Sequence, residues 1–410
     1  MRILFVSERV GYFGGVEQNV ADTAAGLRQR GHTCYLAHGG VLGHDVARYA
    51  AAFEACFPCA EVAPAQQAGG ADPFALALER LAPDAVYLHR VADTTFCRGL
   101  AGQARTVRMV HDHDLCCPRR HKYYALGGAV CRHPAGWRCW LDGAFVRRDR
   151  RAPAGLRLVD LPAHRRELRR NWDLDALLVG SRFMRDELLR NGCPAERVHV
   201  LPPVVQDQGK LLPPSPEPRL LYVGQLVRGK GVDLLLRALR LVERPCILEV
   251  AGTGNHHEAL EDLARALGLA WRVQFHGFVD HRRLGELYAR ARAVVVPSRW
   301  PEPFGMIGLE AMRRGRPVIA FAAGGIPDWL EHEVTGLLVR ERDVRGLAAA
   351  MERLLADDGL AGRLGTGGFA RVQQHFGFAA YLQRLEEHLA PRVAARSWPA
   401  RAVAVAGGRP

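Results

Sequence analysis

Short runs of apolar residues alternate along most of the chain with segments whose apolar positions recur every three or four residues. That rhythm predicts parallel strands covered on both faces by helices. Residues 3–7 read as a buried strand, 11–15 as a glycine-bearing loop, and 16–30 as a helix with Val20, Ala24 and Leu27 on one face, stopped by Gly31. Further strands are expected at 33–37, 85–88, 106–110 and 176–179, and Ser181 is a natural N-cap for a helix over 182–190. After a proline-rich stretch the alternation restarts. Strands are expected at 219–224, 247–251, 273–278, 293–297 and 317–321, with helices at 232–241, 257–267, 282–291 (behind Asp280) and 307–314 between them. Amphipathic segments at 344–355 and 376–389 complete the pattern.

The expected architecture is therefore α/β, with two Rossmann-like doubly wound domains facing each other across a cleft. The first occupies residues 1–205, a stiff surface linker 206–218, and the second 219–375. A C-terminal helix follows at 376–389, with its crossing back to the first domain left open, and 390–410 reads as a loose tail.

Composition narrows the classes. The chain has 410 residues, 48% hydrophobic and 24% charged, and contains no apolar run near the roughly 18 residues of a membrane span, so disorder and membrane insertion drop out. The apolar run after Arg2 is too brief for a signal peptide, which gives the expectation of a cytoplasmic protein. The net charge of +13 raises the question of an anionic partner, but nearly all of it is arginine and no nucleic-acid recognition signature is visible. Residues 144–170 hold arginines 147, 148, 150, 151, 157, 165, 166, 169 and 170 against Asp149, Asp160 and Glu167, which adds an anionic membrane surface as a partner and peripheral attachment at the inner face of the cell membrane as an option. The ten cysteines read as reduced thiols. Cys56 and Cys59 frame a turn at Pro58, whereas Cys116, Cys117, Cys131 and Cys139, with His113, His121 and His133, form an irregular cluster that stays open between a structural metal and ordinary loop residues.

Two α/β domains place ligands at the carboxyl ends of their strands. The loop Gly11-Tyr12-Phe13-Gly14-Gly15 lacks the spacing of a nicotinamide-binding unit, yet it reads either as a tight turn or as backbone amides offered to an anion. Glu302 and Glu310 lie eight positions apart across a loop and a helix start, so one can address a sugar and the other a ribose diol, while Gly305 lets the backbone approach a phosphate. Taken singly, each also reads as a surface carboxylate. Lys230, one of only three lysines, sits between Gly229 and Gly231 at the end of the second domain's first strand and supplies a compact ammonium suited to a diphosphate.

These marks, taken in order, resemble the retaining glycosyltransferases of family 4, with the two-Rossmann GT-B fold. They are Gly14-Gly15-Val16-Glu17, His111-Asp112, Ser181 after Leu177-Leu178-Val179-Gly180, Gly224 to Gly231, Gly252-Thr253-Gly254, Glu302 to Glu310, Gly315 to Ala320, and Gly324-Gly325. The resemblance implies donor binding by Gly14, Gly15, Arg228, Lys230, Gly305, Met306, Ile307 and Glu310, with Glu310 on the nucleotide ribose and Lys230 on the diphosphate. It also implies catalytic roles for Lys230, Glu302 and His111, with Glu302 against the transferred sugar and His111 lining the acceptor side. The implied activity is hexosyl transfer, with retention, from a nucleoside-diphosphate sugar to a hydroxyl of a glycan, lipid or small-molecule acceptor, serving cell-surface polysaccharide or glycoconjugate synthesis. No cofactor or metal is required on this reading. Gln225 stands where the family often has arginine, so charge near the phosphates falls to Lys230 and Arg228, and Leu201-Pro202-Pro203-Val204 lacks the usual Asn-Gly, which leaves the hinge or nucleotide contact of that loop unassigned. The alternatives are a nucleotide-sugar epimerase or phosphorylase of the same fold, and a catalytically silent protein that binds in the same cleft.

Overall fold

The structure, a computed structural model, describes residues 1–59, 78, 81–100, 103–124, 129–148, 155–204, 206, 209–213 and 215–391. Its strands in chain order are β1 (Arg2–Val10), β2 (Thr33–Leu42), β3 (Ala55–Pro58), β4 (Ala85–Leu88), β5 (Arg105–Val110), β6 (Val146–Arg148), β7 (Leu156–Leu158), β8 (Ala176–Val179) and β9 (Val198–Val200). They continue with β10 (Arg219–Val223), β11 (Ile247–Ala251), β12 (Val273–Gly277), β13 (Ala293–Val296), β14 (Val318–Phe321) and β15 (Gly336–Val339). The first sheet runs β3-β2-β1-β4-β5-β8-β9 and the second β12-β11-β10-β13-β14-β15, with every strand pair parallel. Strands such as Ala85-Val86-Tyr87-Leu88 and Ala293-Val294-Val295-Val296 are buried on both faces, which is why they read as unbroken apolar runs.

Both sheets reverse direction of travel next to their first strand, between β1 and β4 and between β10 and β13. Such switch points open a crevice at the carboxyl ends of the strands, and the loops holding residues 11–15, 111–114, 224–231 and 297–305 all leave from those ends. Ser181 caps the helix Arg182–Arg190 by accepting from the Met184 amide, and Asp280 caps His281–Arg290 in the same way.

Three features depart from the sequence pattern. Cys56 to Pro58 lie in edge strand β3 rather than a turn, since an edge tolerates a proline that a central strand would not. The helix Asp358–His375 is read poorly from sequence because it carries five glycines. Close approach explains two of them: a Cβ on Gly365 would lie 2.1 Å from the Gly315 carbonyl, and one on Gly367 2.2 Å from that of Val334. The short strands β9 and β15 are set by pairing with neighbours and carry little pattern of their own.

The helix Phe378–Leu389 packs on the first sheet, with Arg30 and His32 bonding Glu386 and the Arg105 guanidinium donating to the His388 carbonyl. Within the linker, Ser215 is buried and its carbonyl accepts from Arg292. Residues 392–410 of the expected tail, and Arg150 and Arg151 of the basic run, lie outside the described residues.

Candidate functional site

On the second sheet's side of the crevice, Arg228 and Lys230 share a single turn of 3-10 helix, Arg228–Lys230, directly after β10. The turn ends at Gly231 (φ +71°), where a Cβ would sit 2.0 Å from the Pro297 carbonyl, so no other residue brings the two loops this close. The amides of Arg299 and Trp300 both donate to the Gly229 carbonyl, at 3.0 and 3.1 Å, and complete the clamp.

Lys230 Nζ donates to Glu302 Oε1 at 2.8 Å and lies 5.2 Å from the centre of the Trp300 ring. The Glu302 side chain is 4% exposed and that of Lys230 is 25% exposed, so the ammonium faces the crevice while the carboxylate lies behind it. The Ser298 hydroxyl also donates to Glu302. Burial alone pushes the Glu302 carboxyl up, but the Lys230 ammonium and the Ser298 hydrogen bond outweigh it and hold the group below the ordinary 4.5. In this arrangement the Glu302 carboxylate accepts from Lys230 and Ser298.

Residues 301–304 are wedged between the two sheets. His113 Nε2 donates to the Pro301 carbonyl at 2.7 Å, the Ser181 hydroxyl to that of Pro303 at 2.5 Å, and the Trp329 indole to that of Phe304 at 2.6 Å. Arg182 pairs with Asp328 from the opposite side, at 3.1 Å. Gly305 (φ +93°) then opens the helix Met306–Met312, which carries Met306, Ile307 and Glu310. Glu310 is half-buried, and the Tyr288 hydroxyl donates to its Oε2 at 3.2 Å. From the first sheet, Gly15 reaches across: a Cβ there would lie 3.4 Å from the Met306 sulfur, while Gly14 beside it borders open space.

His111 stands apart from these residues, on the first sheet. Its Nε2 lies 2.9 Å from His89 Nδ1, the two rings stack at 5.2 Å, and Phe5 stacks on the far side of His89. Burial, then His89, Arg90 and Arg108, hold the His111 imidazole well below its ordinary 6.5, and burial lowers His89 to about 3. Both rings are therefore neutral near pH 7. Beside them Arg9 pairs with buried Glu17 at 3.3 Å, and Arg90 lies 3.8 Å from Glu17 and 3.6 Å from Asp112. Burial and the neighbouring Asp112 push Asp114 up. His89 and Arg90 carry no mark in the sequence, since their partners are many positions away, and Glu17 appears there only as the end of Gly14-Gly15-Val16-Glu17. Trp300, by contrast, lies only two positions before the Glu302 to Glu310 motif.

Cys116 and Cys117 are buried, and burial pushes both thiols up. Cys131 and Cys139 are half-buried on the segment that follows. Among the described residues no three His, Cys, Asp or Glu side chains come together to hold a metal, and Cys116 instead fills apolar core with Leu115 and Met184.

Two family models match the chain: Glycosyltransferase Family 4 over residues 13–208 and Glycosyl transferases group 1 over residues 206–371. A D-inositol 3-phosphate glycosyltransferase of Xylanimonas cellulosilytica is 34% identical over 227 residues, covering 50% of this chain and 54% of that one. The uncharacterized glycosyltransferase MJ1607 of Methanocaldococcus jannaschii is 40% identical over 145 residues, 35% of this chain and 37% of its own. The chain thus spans between about a third and about half of the length of these curated relatives. Among solved structures, Anabaena HepE in complex with UDP and glucose superposes with a TM-score of 0.70 at 20% identity, over 95% of this chain and 99% of that one. With the two models spanning residues 13–371 and the two facing sheets matching the solved fold, the chain belongs to the family 4 glycosyltransferases and has their GT-B fold.

Proposed function

We propose that the protein transfers a hexosyl group from a nucleoside-diphosphate sugar to an acceptor hydroxyl with retention at the anomeric carbon, in the assembly of a surface polysaccharide or glycoconjugate. The observation that carries this reading is the Lys230 ammonium, fixed by Glu302 and Trp300 at the switch point of the second sheet with Arg228 one turn away. A diphosphate leaving group gains charge as its bond to the sugar breaks, and oriented cations at that point lower the barrier most. Glu310 offers a carboxylate to both hydroxyls of a ribose, and the amides from Gly305 to Ile307, with Gly14 and Gly15 opposite, border the phosphates and sugar. The complexes of Anabaena HepE with UDP and with UDP-glucose are consistent with a nucleotide-sugar donor.

In this reading the acceptor oxygen attacks the anomeric carbon from the face that the phosphate leaves. The new C–O bond forms as the C–O bond to the diphosphate breaks, and the acceptor proton passes to a departing phosphate oxygen. Glu302 positions Lys230, and neutral His111 borders the acceptor. The test is a panel of nucleotide sugars with the purified protein, scored for nucleotide release and then for glycosylated product by mass spectrometry and anomeric configuration by NMR. An inverted product, or no release from any donor, overturns the reading.

A further inference from the structure

Five of the thirteen large hydrophobic side chains exposed among the described residues fall within positions 137–158: Trp137, Trp140, Leu141, Leu156 and Leu158. Leu141 and Leu158 are 76% and 75% exposed, values that mark protruding side chains rather than a shallow patch. They are held together locally. Trp140 packs 5.3 Å from Phe145, the Cys139 carbonyl accepts from the Ala144 amide at 2.7 Å, and the Phe145 carbonyl accepts from Val159 at 2.7 Å. In the antiparallel pair β6/β7, Val146 faces Leu158 and Arg147 faces Arg157, so Leu156 and Leu158 share one face and the two arginines the other.

The surroundings are basic. Residues 132–170 contain eleven arginines and four acidic residues. Two of those acids are engaged, Asp160 as the cap of the helix Leu161–Arg170 and Glu167 in accepting from Thr94. Arg138 lies over the Trp137 ring, Arg157 is exposed on the face of β7 opposite the two leucines, and the helix exposes Arg165, Arg166 and Arg169. Tryptophan and leucine projecting among arginines suit one environment, the boundary of an anionic bilayer, where rings and chains enter the acyl edge while guanidinium groups meet lipid phosphates.

The segment just before it, residues 119–124 and 129–131, ties it to the crevice. Arg119 donates to the Asp142 carbonyl, Lys122 accepts from the Cys131 amide and pairs with buried Glu187 at 2.7 Å, and a Cβ on Gly229 would lie 3.6 Å from Tyr123. We propose that residues 137–147 and 155–158 form a wedge that docks this protein on an anionic lipid surface, with the crevice held beside the bilayer. The docking itself is independent of the proposed transfer; only its use, the delivery of a lipid-linked acceptor, rests on that reading.

The test is flotation of the full chain with vesicles of phosphatidylcholine alone and of phosphatidylcholine with phosphatidylglycerol, at low and high salt. Binding should require phosphatidylglycerol and weaken with salt. Trp137→Ser/Trp140→Ser/Leu141→Ser should lose at least about tenfold in binding with an unchanged thermal melt, because these side chains are already in solvent. Arg165→Ala/Arg166→Ala should lose less, and only at low salt. Equal recovery with both vesicle types, or wild-type binding by the triple variant, overturns the proposal. So does a wild-type dimer in sedimentation that the triple variant converts to monomer without any vesicle binding, which would make the wedge a contact between copies. Nucleotide release in solution should be the same for wild type and triple variant, so a failure of docking and a failure of the transfer reading are told apart.

Discussion

On the second sheet's wall of the crevice the groups of interest are neighbours in sequence; on the first sheet's wall they are neighbours only in space. Lys230 lies in one glycine-flanked turn, and Ser298, Trp300, Glu302 and Glu310 fall within a single loop and helix start. His111, by contrast, meets His89 across 22 positions, and Arg90 reaches Glu17 and Asp112 from a third strand end. A local motif can be checked one residue at a time, whereas a dispersed constellation depends on the whole sheet being in register. Variants on the two walls should therefore fail differently.

The largest effect is expected at Lys230. Lys230→Ala should lower turnover by about 2–4 kcal/mol, roughly 30- to 1,000-fold, if the ammonium meets the charge on the leaving diphosphate. It should also cost stability, because Glu302 is left charged and almost wholly buried without its cationic partner, and stranding a buried charge costs about 3 kcal/mol or more. Lys230→Ala/Glu302→Gln separates the two. Its melting temperature should recover while its turnover does not. Recovery of both would make the lysine a structural partner only, and the contrast between the walls would lose its catalytic side.

Next comes Glu310→Gln. An amide accepts at one end only, so donor affinity should fall about tenfold with little change in melting. Calorimetric titration with the active nucleotide sugar is the measurement. Unchanged affinity removes the ribose assignment.

The same contrast explains what could be read in advance. Strands β4 and β8 were legible to the residue, because each is buried on both faces and therefore uninterrupted in apolar character, and β11 was legible although Glu249 interrupts its apolar run. Asp280 and Ser181 marked their helix starts, since capping is a local interaction. Lys230 and Glu302 could be singled out by position, but their direct contact could not, as it depends on Gly231 letting two loops close on each other. His89 carried no sequence signal at all: a lone histidine after an apolar strand becomes informative only when β4 and β5 are laid side by side. The five glycines of Asp358–His375 argued against a helix for the same reason, because the purpose of Gly365 and Gly367 lies in the backbone they approach.

A smaller effect, specific to the first wall, should appear as pH dependence. His89 titrates at about 3 when folded because burial disfavours its charged form, against an ordinary 6.5. Between those values the unfolded chain binds the proton and the folded one does not, so stability falls as pH drops from 6.5, by up to about 1.4 kcal/mol per pH unit for this group. His89→Phe should flatten that slope while costing about 1–2 kcal/mol near pH 7, through the orphaned His111 nitrogen. Urea unfolding from about pH 7 to pH 4 measures both. An unchanged slope would show that other groups control the acid response of this wall.

The smallest effect is expected where the last helix straps the two halves together. Glu386 accepts from Arg30 at 2.8 and 2.7 Å and lies 2.8 Å from His32, and these partners, Arg30 foremost, hold its carboxyl below the ordinary 4.5. A lowered carboxyl contributes stability above its unfolded value and loses it as pH falls through the folded one, so the contribution is present at pH 7 and gone in strong acid. Glu386 is about a fifth exposed and Arg30 more so, which leaves solvent to screen the pair, and Glu386→Gln should cost about 1 kcal/mol or less, diminishing with added salt. Leu385 and Leu389 on the same helix are fully buried and keep it seated whatever the charge of residue 386. The difference in melting between wild type and Glu386→Gln should therefore shrink toward zero below about pH 4, while the helix stays protected from hydrogen exchange. Loss of that protection in the variant would mean that the strap is held by its ion pairs, and that the two walls are coupled by charge rather than by packing.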